Sequence, residues 1–292
     1  MHIELLNALE LIGLGLLVGA VSPTFGIGGG LLTVPLLILI YGMSTSAATA
    51  TSLGVIIFVS LSGSLAYIRE RRIDFRVGFL FILFAVPGSV AGGLVSNWLK
   101  TLNVRIDLLQ IAFAVTMLTI AALRIGALFR TKGTSASART GDPDSGGPQP
   151  QSRLIFERAF MDRRGVEFAY TARLFPGMIV AFVGGFVGAM LGLGGGVIYV
   201  PILTALIGLP AGIATATSTF TILFANPFAV AVRFASIQWD LVLFLSIGVV
   251  ISATIVPRYL HRIKAKWLLT GFWTLAILAS VRLLLKVAGV HL

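Results

Sequence analysis

Gly26-Ile27-Gly28-Gly29-Gly30 and Gly192-Leu193-Gly194-Gly195-Gly196 decide how this chain is organised. Each interrupts a long apolar run, and the second follows the first at an offset of 166 residues, from 26 to 192. At that offset Val34, Pro35, Leu37 and Gly42 meet Val200, Pro201, Leu203 and Gly208. The run Ala48-Thr49-Ala50-Thr51-Ser52 meets Ala214-Thr215-Ala216-Thr217-Ser218 without a gap. Asp74 and Asp240 match as well, each just ahead of an apolar segment, where an N-cap is expected. Self-similarity at one fixed offset marks duplicated units, here residues 1–129 and 174–292.

The 292 residues are 57% hydrophobic and 11% charged, with a mean hydropathy of +0.98, which excludes a soluble globular domain. Apolar runs of spanning length cover Leu11 to Tyr41, Ala47 to Ile68, Val77 to Leu99, Ile106 to Phe129, Pro176 to Leu209, Ala211 to Phe234, Leu241 to Val256 and Trp267 to Leu285. The chain has no cysteine, which excludes disulfides, thiolate metal sites and dithiol relays. His2, His261 and His291 lie near the ends or in a basic loop, so no metal or other cofactor is expected. The net charge of +11 resides mainly in loops between apolar runs, where it serves topology rather than a nucleic-acid partner. Ala20 and Ser22 leave a weak small-x-small pattern, but residues 1–10 carry no Lys or Arg. The first run therefore reads as part of the repeat, not as a cleaved leader.

Residues 130–173 separate the halves. Gly133 to Ser152 is rich in Ser, Gly, Pro and Gln and reads as a flexible linker. Residues 154–172 carry two apolar-rich stretches around Asp162-Arg163-Arg164-Gly165 and predict a small β-hairpin outside the membrane.

Charge sets the orientation. The loop 69–76 contains Arg69, Arg71, Arg72 and Arg76, the central linker is basic, and the loop 258–266 contains Arg258, Arg262, Lys264 and Lys266. All three belong on the cytoplasmic side. Four simple crossings per half would put the first and last of these loops on opposite sides. If the glycine-broken segment enters and returns, each half makes an odd number of net crossings and the second half is inverted. All three basic regions are then cytoplasmic and both termini lie outside. Leu11 to Phe25 and Gly30 to Tyr41 are about 22 and 18 Å long as helix, short for a core of about 30 Å. The expectation is an all-α polytopic membrane protein of two inverted repeats. Each has a glycine-broken hairpin or pair of short helices followed by three transmembrane helices, and the linker carries the extramembrane hairpin.

Paired glycine breaks at matching positions of inverted halves point to a substrate site near the bilayer midplane. The candidates are Gly28, Gly29, Gly30 and Leu31 with Gly194, Gly195, Gly196 and Val197. A half-helix starting at each tip would turn free amides and about half a positive charge toward an anion. Pro35 and Pro201 would leave the carbonyls of Leu31 and Val197 without their usual donors. Close helix packing is the alternative, and it is the reading for the outer glycines Gly15, Gly19, Gly184 and Gly188. The hydroxyls of Thr49 and Ser52, and of Thr215, Ser218 and Thr219, share helical faces. They either donate to the anion or bond back to their own helices. Asn226-Pro227 reads as a kink; Arg69 and Arg233, near the ends of corresponding helices, read as interfacial anchors, with attraction of anions to two entrances as the alternative. No ionisable group sits in the middle of a segment, which disfavours coupling through a buried carboxylate.

The doubled Gly-x-Gly-Gly-Gly followed by Val-Pro, with Ala-Thr-Ala-Thr-Ser further on in both halves, resembles the sulfite exporter TauE/SafE family, also called the toluene sulfonate uptake permease family. A membrane enzyme or assembly scaffold is disfavoured because no nucleophile, base or metal cluster is duplicated or clustered within the apolar segments. The resemblance implies a multi-pass transporter in the cytoplasmic membrane of a prokaryote. It implies as substrates small sulfur-containing oxyanions or organic acids, such as sulfite, thiosulfate or sulfoacetate. A passive anion channel with the glycine tips as its filter is the alternative. Neither the direction of transport nor the oligomeric state follows from the sequence.

Overall fold

The structure, a computed structural model, describes residues 5–25, 28–101, 111–116, 118–119, 155–161, 167–205, 207–259 and 281. The apolar runs from 106 and from 267, and the flexible linker, fall largely or wholly outside these residues. The described chain is mostly helical. The first half contains α1 (Leu5–Phe25), α2 (Gly30–Tyr41), α3 (Thr45–Arg69) and α4 (Phe75–Thr101). The second contains α5 (Leu174–Met190), α6 (Gly196–Ala205), α7 (Ala211–Arg233) and α8 (Trp239–Tyr259), with one turn of 3-10 helix at Phe234–Ser236. Between them, β1 (Ile155–Met161) and β2 (Glu167–Arg173) pair antiparallel, Ile155 opposite Arg173 and Met161 opposite Glu167.

The repeated residues form the same local structure twice. Gly42 and Gly208 are both left-handed, with φ of 60° and 86°. The following amides fold back in the same way, Met43 N to Leu37 O at 3.3 Å and Leu209 N to Leu203 O at 2.9 Å. This is the Schellman closure, which needs a residue free to take positive φ. Pro35 and Pro201 lie inside α2 and α6, two helices of 12 and 10 residues that are too short to span a bilayer.

Two helix boundaries correct the sequence reading. α1 begins at Leu5, six residues before the expected apolar run, because Leu5 to Glu10 are good helix formers and the Glu10 side chain is exposed. At 21 residues, about 31 Å, α1 is longer than the expected Leu11 to Phe25, although its apolar part Ala8–Ser22 remains short. Asp74 caps α4 as expected, its Oδ1 accepting from the Arg76 and Val77 amides at 3.0 and 3.2 Å. Asp240, by contrast, lies within the first turn of α8. The 3-10 turn shifts that helix start, and Gln238 O receives the Val242 amide.

Packing follows the duplication. α1 packs on α8, and α4 on α5, so the first helix of each half meets the fourth of the other. Glycines permit these approaches: a Cβ on Gly19 would stand 2.8 Å from Val249 Cα, and one on Gly92 would strike the Phe186 backbone. Gly15 meets Leu245 as Gly19 meets Val249, so α1 and α8 run parallel; Gly88 with Phe182 and Gly92 with Phe186 make α4 and α5 parallel too. The sister helices α3 and α7 cross in opposite directions, Thr49 meeting Arg233 and Leu53 meeting Asn226.

α3, α4 and the run Ala211–Ser236 are long and apolar enough to cross a membrane. Their outward faces are apolar as well: Leu83 on α4 is 65% exposed and Phe228 on α7 is 50%. Helices apolar on both faces need a lipid environment.

Candidate functional site

The two glycine turns lie against each other in the interior. Gly28 and Gly29 have φ of 81° and 86°, and Gly194 and Gly195 have 73° and 78°. An L-residue is strained in this region, so the sequence places glycine at both tips. The tips also touch. A Cβ on Gly30 would collide with the Gly192 carbonyl oxygen and stand 2.7 Å from Leu193 Cα, and one on Gly28 would lie 3.3 Å from Leu193 O.

Hydrogen bonding starts the same way at both tips. The Leu32 and Thr33 amides share Gly29 O, and the Ile198 and Tyr199 amides share Gly195 O, at 2.9 to 3.1 Å. The amides just before them, of Gly30 and Leu31 and of Gly196 and Val197, belong to first turns and have no acceptor within their helices. All four residues are buried. The structure thus brings the two candidate turns, Gly28 to Leu31 and Gly194 to Val197, to one location.

The hydroxyl candidates divide. Ser52 Oγ donates to Gly192 O at 2.8 Å, binding α3 of the first half to the second half's tip. Thr49 Oγ1 donates to Ser46 O at 3.1 Å and accepts from Arg233 at 2.9 Å. Thr219 bonds back to Thr215 O at 2.8 Å, the self-satisfying pattern common in apolar helices. Ser218 is buried beside it, and Thr215 is partly exposed.

Several residues that shape the site escaped the sequence reading. Thr51 and Thr217 lie in the repeated run but off the chosen face. Thr51 Oγ1 accepts from Gln238 N and Thr217 Oγ1 from Asp74 N, each at 3.1 Å, so each half fastens the start of the other half's fourth helix. Their identical positions in the repeat were the available signal. Asn226 does more than break a helix, since its Nδ2 donates to Leu53 O across the halves at 2.6 Å. Tyr199 fits its ring against Gly184 and Gly195 and donates to Ala181 O at 3.2 Å.

The largest correction is Arg233. It is 1% exposed and therefore not an interfacial anchor. Its guanidinium donates to Ser46 O at 2.8 Å and Thr49 Oγ1 at 2.9 Å, and to Ala189 O and Met190 O at 3.3 and 3.5 Å. The last two carbonyls end α5, where a helix attracts cations. Arg69, at the corresponding end of α3, is exposed. Among the described residues, no group of three His, Cys, Asp or Glu could hold a metal ion.

Helices with apolar outward faces around two buried, mutually packed glycine turns define a multi-pass membrane protein whose polar chemistry is directed inward. Residues 11–283 match the sulfite exporter TauE/SafE family, and the chain belongs to that family. It is a membrane transporter. It is 31% identical over 223 residues to the probable membrane transporter protein YunE of Bacillus subtilis (strain 168), covering 74% of each chain. It is 30% identical over 116 residues to the probable membrane transporter protein YdhB of the same organism, covering 40% of this chain and 45% of YdhB. A probable membrane transporter protein of Xylella fastidiosa (strain 9a5c) shares 37% over 82 residues, 28% of this chain and 31% of its own. No solved structure matches the chain.

Proposed function

We propose that the protein is a secondary transporter for small anions, chiefly sulfur-containing oxyanions or organic acids such as sulfite, thiosulfate or a sulfoacetate-like sulfonate. The substrate is held between the two glycine tips, and access alternates between the two sides of the membrane. The observation that carries this reading is the meeting of the two glycine turns that lead into buried helix starts, Gly30 at the head of α2 packing on Gly192 and Leu193 in the turn before α6. Amides heading two helices favour an anion through both hydrogen bonding and the helix dipoles, and a transported ion needs such weak, reversible partners. Ser52 holds the second tip through its bond to Gly192 O, and Thr49, Thr215, Ser218 and Thr219 are the further hydroxyls that would line the anion's path.

The halves, 1–129 and 174–292, form inverted repeats in this reading. Support comes from α3 and α7, which carry the same Ala-Thr-Ala-Thr-Ser run yet cross in opposite directions. The parallel packing of α1 on α8 and α4 on α5 is what inversion requires when α1 and α4 point oppositely within one half. With the basic loops on the cytoplasmic side, residues 130–173 and their strand pair lie in the cytoplasm and both termini outside, in a prokaryotic cytoplasmic membrane.

Flux of sulfite and thiosulfate into proteoliposomes tests the proposal. Saturable uptake is expected, with Gly29→Ala and Gly195→Ala each weakening it about tenfold or more, since a methyl at positive φ distorts the tip. Unchanged affinity and flux in both variants would refute the tip site. Non-saturating flux far above carrier rates would replace the transporter with a passive channel.

A further inference from the structure

We propose that Arg233 supplies the positive charge of the anion site, recognising oxyanions of higher charge next to the second glycine tip. The inference rests on the tip-site reading and adds to it the group that discriminates substrate charge.

Arg233 ends α7 and is closed off from solvent. Its four acceptors are neutral: the carbonyls of Ser46, Ala189 and Met190 and the Thr49 hydroxyl. Its Nε has no partner among the described residues, and no carboxylate pairs with it there. A buried guanidinium without a counterion is costly, and carbonyl dipoles compensate only part of the cost. An oxyanion would supply the missing charge at the free Nε, and could take a second guanidinium donor from one of its neutral acceptors, since a charge-assisted pair is the stronger match.

Location links this cation to the tip. Met190 is two residues before Gly192, and Gly192 packs on the backbone of Thr49, the residue whose hydroxyl holds Arg233. The guanidinium therefore sits at the end of α5, where the turn leading to Gly194 begins. The duplicated half has no equivalent. At the 166-residue offset Arg233 meets Tyr67, which packs against Ile73, Ala216 and Phe220. The pairing of two equal amide tips with one cation makes the site asymmetric. Substrate charge is sensed from the second half alone.

Titration of the purified full chain with sodium thiosulfate, a dianion, and sodium methanesulfonate, a monoanion, tests this. Arg233→Gln is expected to weaken thiosulfate binding about tenfold or more and methanesulfonate binding clearly less, because loss of a charge-assisted contact costs the dianion more. Arg233→Lys, which keeps the charge, is expected to fall between wild type and Arg233→Gln for thiosulfate. Equal weakening of both anions, or none, would overturn the inference and leave the tip site standing. Failure of the wild-type protein to bind either anion would overturn both. Should Arg233→Gln not fold, crystals of the unmodified protein with selenate decide. An anomalous peak within hydrogen-bond reach of the guanidinium supports the inference, and its absence there refutes it.

Discussion

Ser52 Oγ donates to the Gly192 carbonyl oxygen at 2.8 Å, and both residues are buried. One hydroxyl of the first half thereby fixes the backbone turn of the second. Ser52→Ala leaves that carbonyl without its donor in a dry interior, at a cost of about 1–3 kcal/mol. The expected outcome is a lower melting temperature in detergent together with weaker anion binding. Unchanged values for both would show that the turn is held by packing alone.

The Asn226 amide reaches Leu53 O at 2.6 Å between α7 and α3. Asn226→Leu removes this bond from a helix crossing. Interhelical hydrogen bonds in membrane proteins contribute about 0.6 kcal/mol on average and up to about 1.7. The short distance and full burial put this one near the upper value. Asn226→Asp is expected to be worse, because a carboxylate oxygen would face the carbonyl. Thermal unfolding of the two variants checks the order.

Glycines with and without neighbours should separate cleanly. A Cβ on Gly248 would collide with the Ile12 carbonyl and lie 2.7 Å from Leu16 N, whereas one on Gly13 meets nothing within 4 Å. Gly248→Ala is expected to push α1 from α8 and lose at least about 1–3 kcal/mol. Gly13→Ala, in a helix and unobstructed, is expected to stabilise by about 0.5–1 kcal/mol. Equal behaviour of the pair in a melting experiment would contradict the parallel α1 and α8 contact.

Thr51 and Thr217 accept from amides at corresponding places, Gln238 N and Asp74 N. Thr51→Val and Thr217→Val keep shape and lose the acceptor. Each is expected to destabilise by about 1 kcal/mol, a shift of about 2–4 °C. A large effect from one and none from the other would mean that the two contacts are not equivalent.

Much of this was legible in the residues. The glycine tips, the Val-Pro that follows each and the left-handed Gly42 and Gly208 come from local chemistry that repeats wherever the same residues repeat. The start of α1 at Leu5 lies ahead of the apolar run from Leu11, because an exposed carboxylate such as Glu10 does not stop a helix. Arg233 was misread because a cation at a helix end usually reaches for the interface, and nothing in its neighbours in sequence distinguishes a buried one.

The sequence alone determined the repeated motifs, the long apolar helices α3, α4 and α7 and the turns at Gly28 to Gly30 and Gly194 to Gly196, because apolar length and backbone permissiveness are local properties. Tertiary structure alone decided which hydroxyls face which turn, and that Arg233 closes on Ser46, Thr49, Ala189 and Met190. Those contacts join residues from separate helices. Their geometry depends on how close the small residues of α1, α4, α5 and α8 let the backbones approach, a quantity that no single segment contains.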